Sequence, residues 1–427
     1  MNLNEVKTTA IKLLNYMDAN INKIFDVSIR NFYDSSWKNE IKTIIEDSET
    51  KPEIEVAFIG ESGVGKTSLI NSVLGKKILP AGGIGKACTA SIAEILWSED
   101  NKYHVIVEFI SKEEWLAEIK KKIMELTSLK QNEDSEVLKF HLDQLVNEMP
   151  EGDRDKFTYI YPDLKIEFSD VNFVMDNLKE KESILECFNK GSYKFETDNI
   201  EKLSEYIANY LNSQNDYWPI VKKVSISGPF AILKNGLKLI DLPGWNDPNE
   251  AREKILRDFI INARFMVMSF DIKRGLRQYD INFLESESFK NFFRQLMIDN
   301  RDNRLTFALT NSDNIDVEEI EQHCGKKELE FDEAVEIRNH TALENFTKKI
   351  KEVLEKILPG DEDKKKSIIN SIANSKKVIV SSKDYFIHES QSKRSRQVFS
   401  HMDQTGIPEL KQHLEKISAG FNTTAKG

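Results

Sequence analysis

The pattern GxxxxGK[ST] constrains the fold of this chain more than any other feature of its sequence. It follows an apolar, strand-like run, Glu53 to Ile59, and precedes a helical run, Thr67 to Leu74. Glycines let such a loop curl around an anion with its N–H groups pointing inward, and the helix dipole adds to the attraction. The predicted nucleotide-binding residues are Gly60, Glu61, Ser62, Gly63, Val64, Gly65, Lys66, Thr67 and Ser68. We expect Lys66 to reach the β- and γ-phosphates and Thr67 to bind Mg²⁺.

Further strand-like runs follow the loop, and most of the later ones alternate with helical stretches. They are Ser91 to Trp97, Tyr103 to Ile110, Val221 to Ile226, Leu237 to Ile240, Phe265 to Phe270, Leu305 to Thr310 and Lys377 to Val380. This alternation is typical of a parallel sheet with helices on both faces. We therefore predict an α/β fold, a P-loop domain with a doubly wound, mostly parallel sheet.

Changes in composition divide the chain into four predicted parts. Residues 1–50 carry apolar side chains at helical spacing, which predicts two amphipathic helices. Residues 51–112 begin the P-loop domain, and residues 216–427 complete it. Residues 113–215 are rich in Lys, Glu, Leu and Ile at helical spacing and have few glycines, so they predict a long helical insertion.

Charge and cysteine usage exclude some classes of function. The chain has 71 acidic and 60 basic residues and a formal charge of -11, which argues against a surface built to attract nucleic acid. Its three cysteines are far apart, as in proteins of a reducing compartment, and its first residues lack the blocks of a secretory signal. We expect a cytoplasmic or nuclear protein that does not bind nucleic acid.

Two further segments are candidates for contacts with the metal and the γ-phosphate. The segment Asp241 to Gly244, Asp-Leu-Pro-Gly, follows an apolar run, which places Asp241 at the carboxyl end of a predicted strand as a Mg²⁺ partner. Gly244 would then offer its N–H to the γ-phosphate. The glycine-rich stretch Ala81 to Thr89 offers Thr89 as a second Mg²⁺ ligand and can order around nucleotide as a switch. A plain turn and a plain flexible loop stay open as readings of these two segments.

Residues after two late strands predict the choice of base. The candidate base-binding residues are Thr310, Asn311, Asp313, Ser381, Ser382 and Lys383. The Asp313 carboxylate can accept hydrogen bonds from the two N–H donors on the guanine edge, whereas adenine would leave it unpaired. The Ser-Ser-Lys run suits a segment that closes over the base. Each motif is a weak signal alone, but their order after the phosphate loop favours GTP over ATP.

At these motifs the chain resembles the dynamin superfamily of large GTPases. The likeness lies in the run from Ser68 to Pro80, in the Asp-Leu-Pro-Gly and Thr-x-x-Asp motifs and in the closing segment Thr405 to Leu410. It covers about residues 53–111 and 220–420, and the long insertion looks most like that of the nuclear germinal-centre type. The resemblance implies a P-loop GTPase domain, Mg²⁺-dependent hydrolysis of GTP to GDP and phosphate, and a nucleotide-dependent homodimer formed through the GTPase face.

Three departures from the family's pattern concern the affinity for guanine, the rate of hydrolysis and the length of the chain beyond the GTPase core. Asn311 stands where the family usually has a lysine, whose stem would cover the base. Ser62 and Gly63 stand where dynamins typically have a glutamine and a serine that arrange water and charge. The chain also ends soon after the GTPase core, so the resemblance implies a GTPase domain, a fragment or a lineage without the stalk. It leaves contact with membranes open.

Hydrolysis is expected to proceed by in-line attack of water on the γ-phosphate. The catalytic candidates are Lys66, Thr89 and Gly244. Trp245 occupies the position where small GTPases place a water-orienting glutamine, and its indole cannot accept a hydrogen bond from that water. The missing group must come from the switch loop, with Lys86 as the candidate, or from a second molecule, and turnover should then rise with protein concentration. The alternatives are a non-hydrolysing GTP-binding switch or scaffold, and a P-loop ATPase.

Overall fold

The computed structural model describes residues 3–20, 53–81, 91–133, 139–149, 151–212, 217–245, 256–257, 259–260, 263–299, 304–358, 362–390 and 397–424. The strands are β1 (Ile54–Gly60), β2 (Ile92–Trp97), β3 (Tyr103–Phe109), β4 (Phe140–His141), β5 (Glu167–Phe168), β6 (Ser192–Thr197), β7 (Val221–Gly228), β8 (Leu237–Asp241), β9 (Phe265–Asp271), β10 (Leu305–Thr310) and β11 (Lys376–Ile379). The helices are α1 (Leu3–Asn20), α2 (Lys66–Leu74), α3 (Lys112–Glu133), α4 (Leu142–Glu148), α5 (Glu151–Ile160), α6 (Val171–Asn177), α7 (Glu182–Lys190), α8 (Ile200–Leu211), α9 (Gln278–Leu284), α10 (Glu287–Asp299), α11 (Val317–Cys324), α12 (Phe331–Ile357), α13 (Glu362–Ala373), α14 (Ser382–Ser390) and α15 (Ile407–Thr424). The predictions made for Lys86, for Thr89 and for a second N-terminal helix lie outside the described residues.

Among the described residues, nine strands form one sheet in the order β11-β10-β9-β1-β8-β2-β7-β3-β6. The strand β1 lies at its centre and is parallel to both neighbours. The strands β9, β10 and β11 continue in parallel, whereas β2 is antiparallel to β8 and β3 is antiparallel to both of its neighbours. The predicted α/β fold with a mostly parallel sheet is confirmed, and each predicted strand occurs within two residues of its expected bounds.

Hydrophobic side chains on both faces of β1 explain its central position. Six of its seven residues are buried, as expected of a strand covered by helices on both sides. Successive side chains of a strand point to opposite faces, and accordingly Phe58 belongs to one cluster of buried residues and Ile59 to another. The loop that follows β1 therefore emerges from a strand whose side chains are buried on both faces of the sheet.

The region predicted to be a helical insertion, residues 113–215, contains α3 to α8 and also strands. The strand β6 pairs with β3, with Val105 opposite Phe195, and so adds itself to the edge of the main sheet. Phe195 stacks on Tyr206 of α8 with 4.1 Å between ring centroids. The prediction did not include this strand, because six residues of polar and aromatic alternation are hard to see between long helical runs.

The first predicted N-terminal helix is present as α1. No helix in the described part of the chain combines the length and the apolar character needed to cross a bilayer.

Candidate nucleotide-binding site

The phosphate loop connects the end of β1 to the start of α2. Gly63 and Gly65 have φ angles of +78° and +97°, which a residue without a Cβ adopts readily. The Lys66 ammonium donates hydrogen bonds of 2.9 and 3.0 Å to the carbonyl oxygens of Gly60 and Glu61. The loop thus has the curled backbone and the nearby cation that a phosphate-binding nest requires.

A hydrogen bond joins the first turn of α2 to the end of β8. The Thr67 hydroxyl donates to Oδ2 of Asp241 at 2.7 Å. The register of the parallel strands explains the contact, because Phe58 near the end of β1 lies opposite Asp241. Asp241 is only 1% exposed. A hydroxyl and a carboxylate are the oxygen ligands that Mg²⁺ prefers, so this pair fits a magnesium site.

The backbone after Asp241 touches the phosphate loop. A Cβ added to Gly244 would lie 2.5 Å from the backbone nitrogen of Ser62 and 2.8 Å from its Cα. No larger side chain fits without moving one of the two segments, which explains why glycine occupies this position. Gly244 and the phosphate loop are therefore adjacent, as the sequence prediction required of a γ-phosphate contact.

The side chain of Trp245 packs into α9. Its indole N–H donates to Oδ1 of Asp280 at 3.1 Å, and its ring stacks on Phe283 with 4.6 Å between centroids. Both Trp245 and Asp280 are buried. Burial also raises the pKa of Asp280, against the opposing effect of the hydrogen bonds that its carboxylate accepts. The first residue after the Asp-Leu-Pro-Gly motif is thus tied to the protein interior.

An ion pair that sequence reasoning missed joins the phosphate loop to the start of α9. The Arg277 guanidinium contacts the Glu61 carboxylate, whose side chain is 11% exposed. The backbone N–H of Arg277 donates to Oδ2 of Asp280 at 2.8 Å. No local pattern marks Arg277, because it approaches Glu61 only through the pairing of β1 with β9.

The base-recognition candidates from two separate segments meet beside the phosphate loop. Asp313 accepts a hydrogen bond of 2.7 Å from the Ser381 hydroxyl and lies 3.4 Å from the Lys383 ammonium. The Thr310 hydroxyl donates to the carbonyl oxygen of Val64 at 2.7 Å. The structure therefore brings the segment after β10, the segment after β11 and the phosphate loop together.

The conformation of Asn311 explains an asparagine at this position. Its φ angle of +59° lies in the left-handed region, where asparagine is favoured over most other residues with a side chain. Its amide donates to Oδ2 of Asp271 at 2.7 Å. Asn311 thereby links the base segment to the end of β9, a role that differs from covering a base with an aliphatic stem.

Arg338 supports the base segment from helix α12 and was not predicted. Its guanidinium donates to the carbonyl oxygen of Ser312 at 2.8 Å. Burial lowers the pKa of Arg338 to about 10, and the charge of Asp313 acts in the opposite direction. A half-buried arginine on a long helix carries no sequence signal for this contact.

One cavity of about 590 Å³ joins these parts, and it is lined by Gly65, Ser68, Asn311, Ser382 and Lys383 among others. The phosphate loop and both base segments therefore open into the same space, whose volume lies in the range of small-molecule sites. A phosphate loop at the carboxyl end of the central strand of a parallel sheet, facing such a cavity, defines a P-loop nucleotide-binding protein.

Comparison with known families narrows this class. The profile of the dynamin family matches residues 56–302, which is more than half of the chain. The chain therefore belongs to the dynamin family, and the resemblance read from the motifs is confirmed.

Individual relatives are distant. The nuclear GTPase SLIP-GC of Mus musculus is 25% identical over 338 residues, which are 76% of this chain and 40% of the mouse protein. The Homo sapiens protein of the same name is 24% identical over 416 residues, 90% of this chain and 47% of the human protein. A solved chain from an oligomerised bacterial dynamin pair is 15% identical, with a TM-score of 0.45 over 99% of this chain and 46% of that chain. This chain thus spans less than half the length of each of these proteins.

Proposed function

We propose that this chain binds GTP and hydrolyses it to GDP and phosphate in a Mg²⁺-dependent reaction, in the cytoplasm or the nucleus. One observation carries the proposal: Gly65 and Ser68 of the phosphate loop and Asn311 and Lys383 of the base segments line a single cavity. Such a cavity can hold the triphosphate and the base of one nucleotide at the same time. Membership of the dynamin family and the nuclear GTPases among its relatives support hydrolysis as the activity.

Guanine is the base that the donors and acceptors favour. The Asp313 carboxylate is an acceptor only, and its side chain is 12% exposed, with Ser381 and Lys383 beside it. Guanine presents two N–H donors to such a group, whereas adenine lacks this pair of donors. Arg338 holds the backbone of the same segment in place through the carbonyl of Ser312.

The residues around the phosphates supply charge and metal ligands. Thr67 would hold Mg²⁺ directly, Asp241 would support it through water, and Thr89 is the further proposed ligand. When bound, the metal neutralises charge that develops on the β- and γ-phosphates. Lys66 adds a positive charge beside them, and the Gly244 N–H is proposed to donate to a γ-phosphate oxygen.

The attacking water needs a group that Trp245 does not provide. The indole of Trp245 is engaged with Asp280 and has no acceptor for a water proton. A lysine ammonium cannot accept from water either, so Lys86, or a cation from a second copy of the chain that meets the first through the GTPase face, is proposed to compensate the charge that develops on the γ-phosphate. A cation supplied in this way can raise the rate about 10³- to 10⁵-fold.

Phosphate release per molecule, measured over a series of protein concentrations, tests the proposal. We expect slow turnover that rises with concentration, and no turnover in Lys66→Ala. The control is Lys76→Ala, which removes an exposed lysine just beyond α2. Release from the wild type at the Lys66→Ala level would contradict hydrolysis, and a constant specific activity would contradict stimulation by a second copy.

A second candidate function is favoured by the same engagement of Trp245. A GTP-binding switch that hydrolyses negligibly and recruits a partner needs no water-orienting residue after Gly244, and this chain has none there among its described residues. A single-turnover assay separates the two functions, because the switch releases no phosphate above the Lys66→Ala background at any protein concentration.

A further inference from the structure

An acidic residue stands inside the phosphate loop. Glu61 directly follows Gly60, and its carboxylate is largely buried next to a backbone that is shaped to hold an anion. A nucleoside triphosphate carries several negative charges, and like charges at short range in a site of reduced dielectric oppose each other strongly. The negative charge of Glu61 therefore weakens binding of phosphate groups to this loop unless that charge is compensated.

Arg277 is placed to provide that compensation. Its guanidinium contacts Oε2 of Glu61, and its side chain is 36% exposed. The backbone of Arg277 is held by Asp280, which in turn accepts a hydrogen bond from Trp245. The guanidinium thus extends from a fixed turn toward the loop.

We propose that Arg277 is a positioning residue that neutralises Glu61 and thereby allows the phosphate loop to accept a nucleoside triphosphate. The inference rests on the proposed function, since it concerns nucleotide held by this loop. It also predicts a dependence on phosphate number. Without Arg277, the charge of Glu61 opposes GTP more than GDP, because GTP carries an additional negative charge.

The size of the effect follows from elementary electrostatics. One extra unit charge at about 10 Å, in an effective dielectric of about 20, changes an equilibrium constant roughly tenfold. We therefore expect Arg277→Gln to weaken binding of a non-hydrolysable GTP analogue about tenfold more than binding of GDP. A purely structural role for Arg277 would weaken both nucleotides equally.

The test is a double-mutant cycle of nucleotide affinities. Dissociation constants for GDP and for the GTP analogue are measured for the wild type, Arg277→Gln, Glu61→Gln and the double variant. Because the double variant removes both charges, we expect its ratio of GTP to GDP affinity to return toward that of the wild type. Arg274→Gln is the matched control, since it removes an exposed arginine from the same loop.

The outcomes are distinguishable. Wild-type protein that binds neither nucleotide would contradict the proposed function itself. Wild-type protein that binds both, together with an Arg277→Gln variant that matches Arg274→Gln or a double variant that recovers nothing, would overturn only the role of Arg277. If Arg277→Gln does not fold, Glu61→Gln alone decides: we expect it to favour the GTP analogue over GDP more than the wild type does, and an unchanged ratio overturns the inference.

Discussion

The hydroxyl of Thr67 and the carboxylate of Asp241 are joined by a hydrogen bond of 2.7 Å. Thr67 lies in the first turn of the helix that follows the phosphate loop, and Asp241 ends the strand beside the loop. Two oxygen groups that we propose to serve the magnesium ion, one directly and one through water, are therefore already held together in this structure. Such prior organisation reduces the conformational entropy that is lost when a metal–nucleotide complex binds.

Asp241→Asn keeps the size of the side chain but removes its charge. We expect the apparent affinity for Mg²⁺, measured by titrating the metal against bound fluorescent GTP analogue, to fall about 10- to 100-fold, as is usual when a group that supports a metal through its ligands is lost. Nucleotide affinity in the presence of a chelator should change little. Equal losses with and without Mg²⁺ would contradict a metal-directed role for Asp241.

Asp313→Asn should change the preferred base. The amide replaces a carboxylate that we propose to accept from two guanine N–H groups, so GDP affinity should fall about 100-fold or more. XDP should gain affinity, because xanthine has an oxygen where guanine has its amino group and the new amide can donate to it. Asp316→Asn is the control, since Asp316 caps α11 through a hydrogen bond that asparagine can also accept. If the variant still prefers GDP to XDP, the proposed role of Asp313 in base recognition is wrong.

Arg338→Met should loosen the base segment. The buried Ser312 carbonyl loses its donor, so the free energy of unfolding, measured with denaturant, should fall by about 1–3 kcal/mol. Asp313 is then held less firmly, and the preference for GDP over IDP, which lacks the amino group of guanine, should narrow. Lys348→Met removes an exposed charge from the same helix and serves as the control. An unchanged ratio of GDP to IDP affinity would show that Arg338 contributes to the stability of the fold but not to base recognition.

The pH dependence of stability should report Asp280. Burial raises the pKa of this carboxyl above its value in the unfolded chain, so the folded state binds the proton more tightly. Its contribution to stability is therefore fully present below the unfolded pKa, close to 3.8, and is lost as the pH rises through the folded pKa. The unfolding free energy of the wild type relative to Asp280→Asn should decrease from acidic to neutral pH. A difference that increases over this range would contradict the assignment.

Sequence patterns were sufficient for the parts of the site that depend on local structure. The phosphate loop was predicted because Gly60, Gly65 and Lys66 stand at fixed spacing between a strand and a helix. The central strands were predicted because strands buried on both faces form continuous apolar runs. Their parallel order then placed Asp241 beside Thr67, as the common carboxyl edge of such a sheet requires.

The parts that were missed depend on tertiary packing. Arg277 and Arg338 act through contacts with Glu61 and Ser312, which are distant in sequence and are brought close only by the folded sheet. Arginine is common at protein surfaces, so an arginine before a short helix and another within a long helix do not stand out in a sequence. The strand β6 was missed for a different reason, because its pairing with β3 stabilises a short segment whose own pattern is weak.

Equilibrium binding of labelled GTP to the purified, folded chain at millimolar Mg²⁺ tests the central claim most directly. We predict saturable binding that GDP displaces, that ATP displaces poorly and that Lys66→Ala abolishes. A folded protein that takes up no GTP, or one from which ATP displaces the label better than GDP does, would contradict the account.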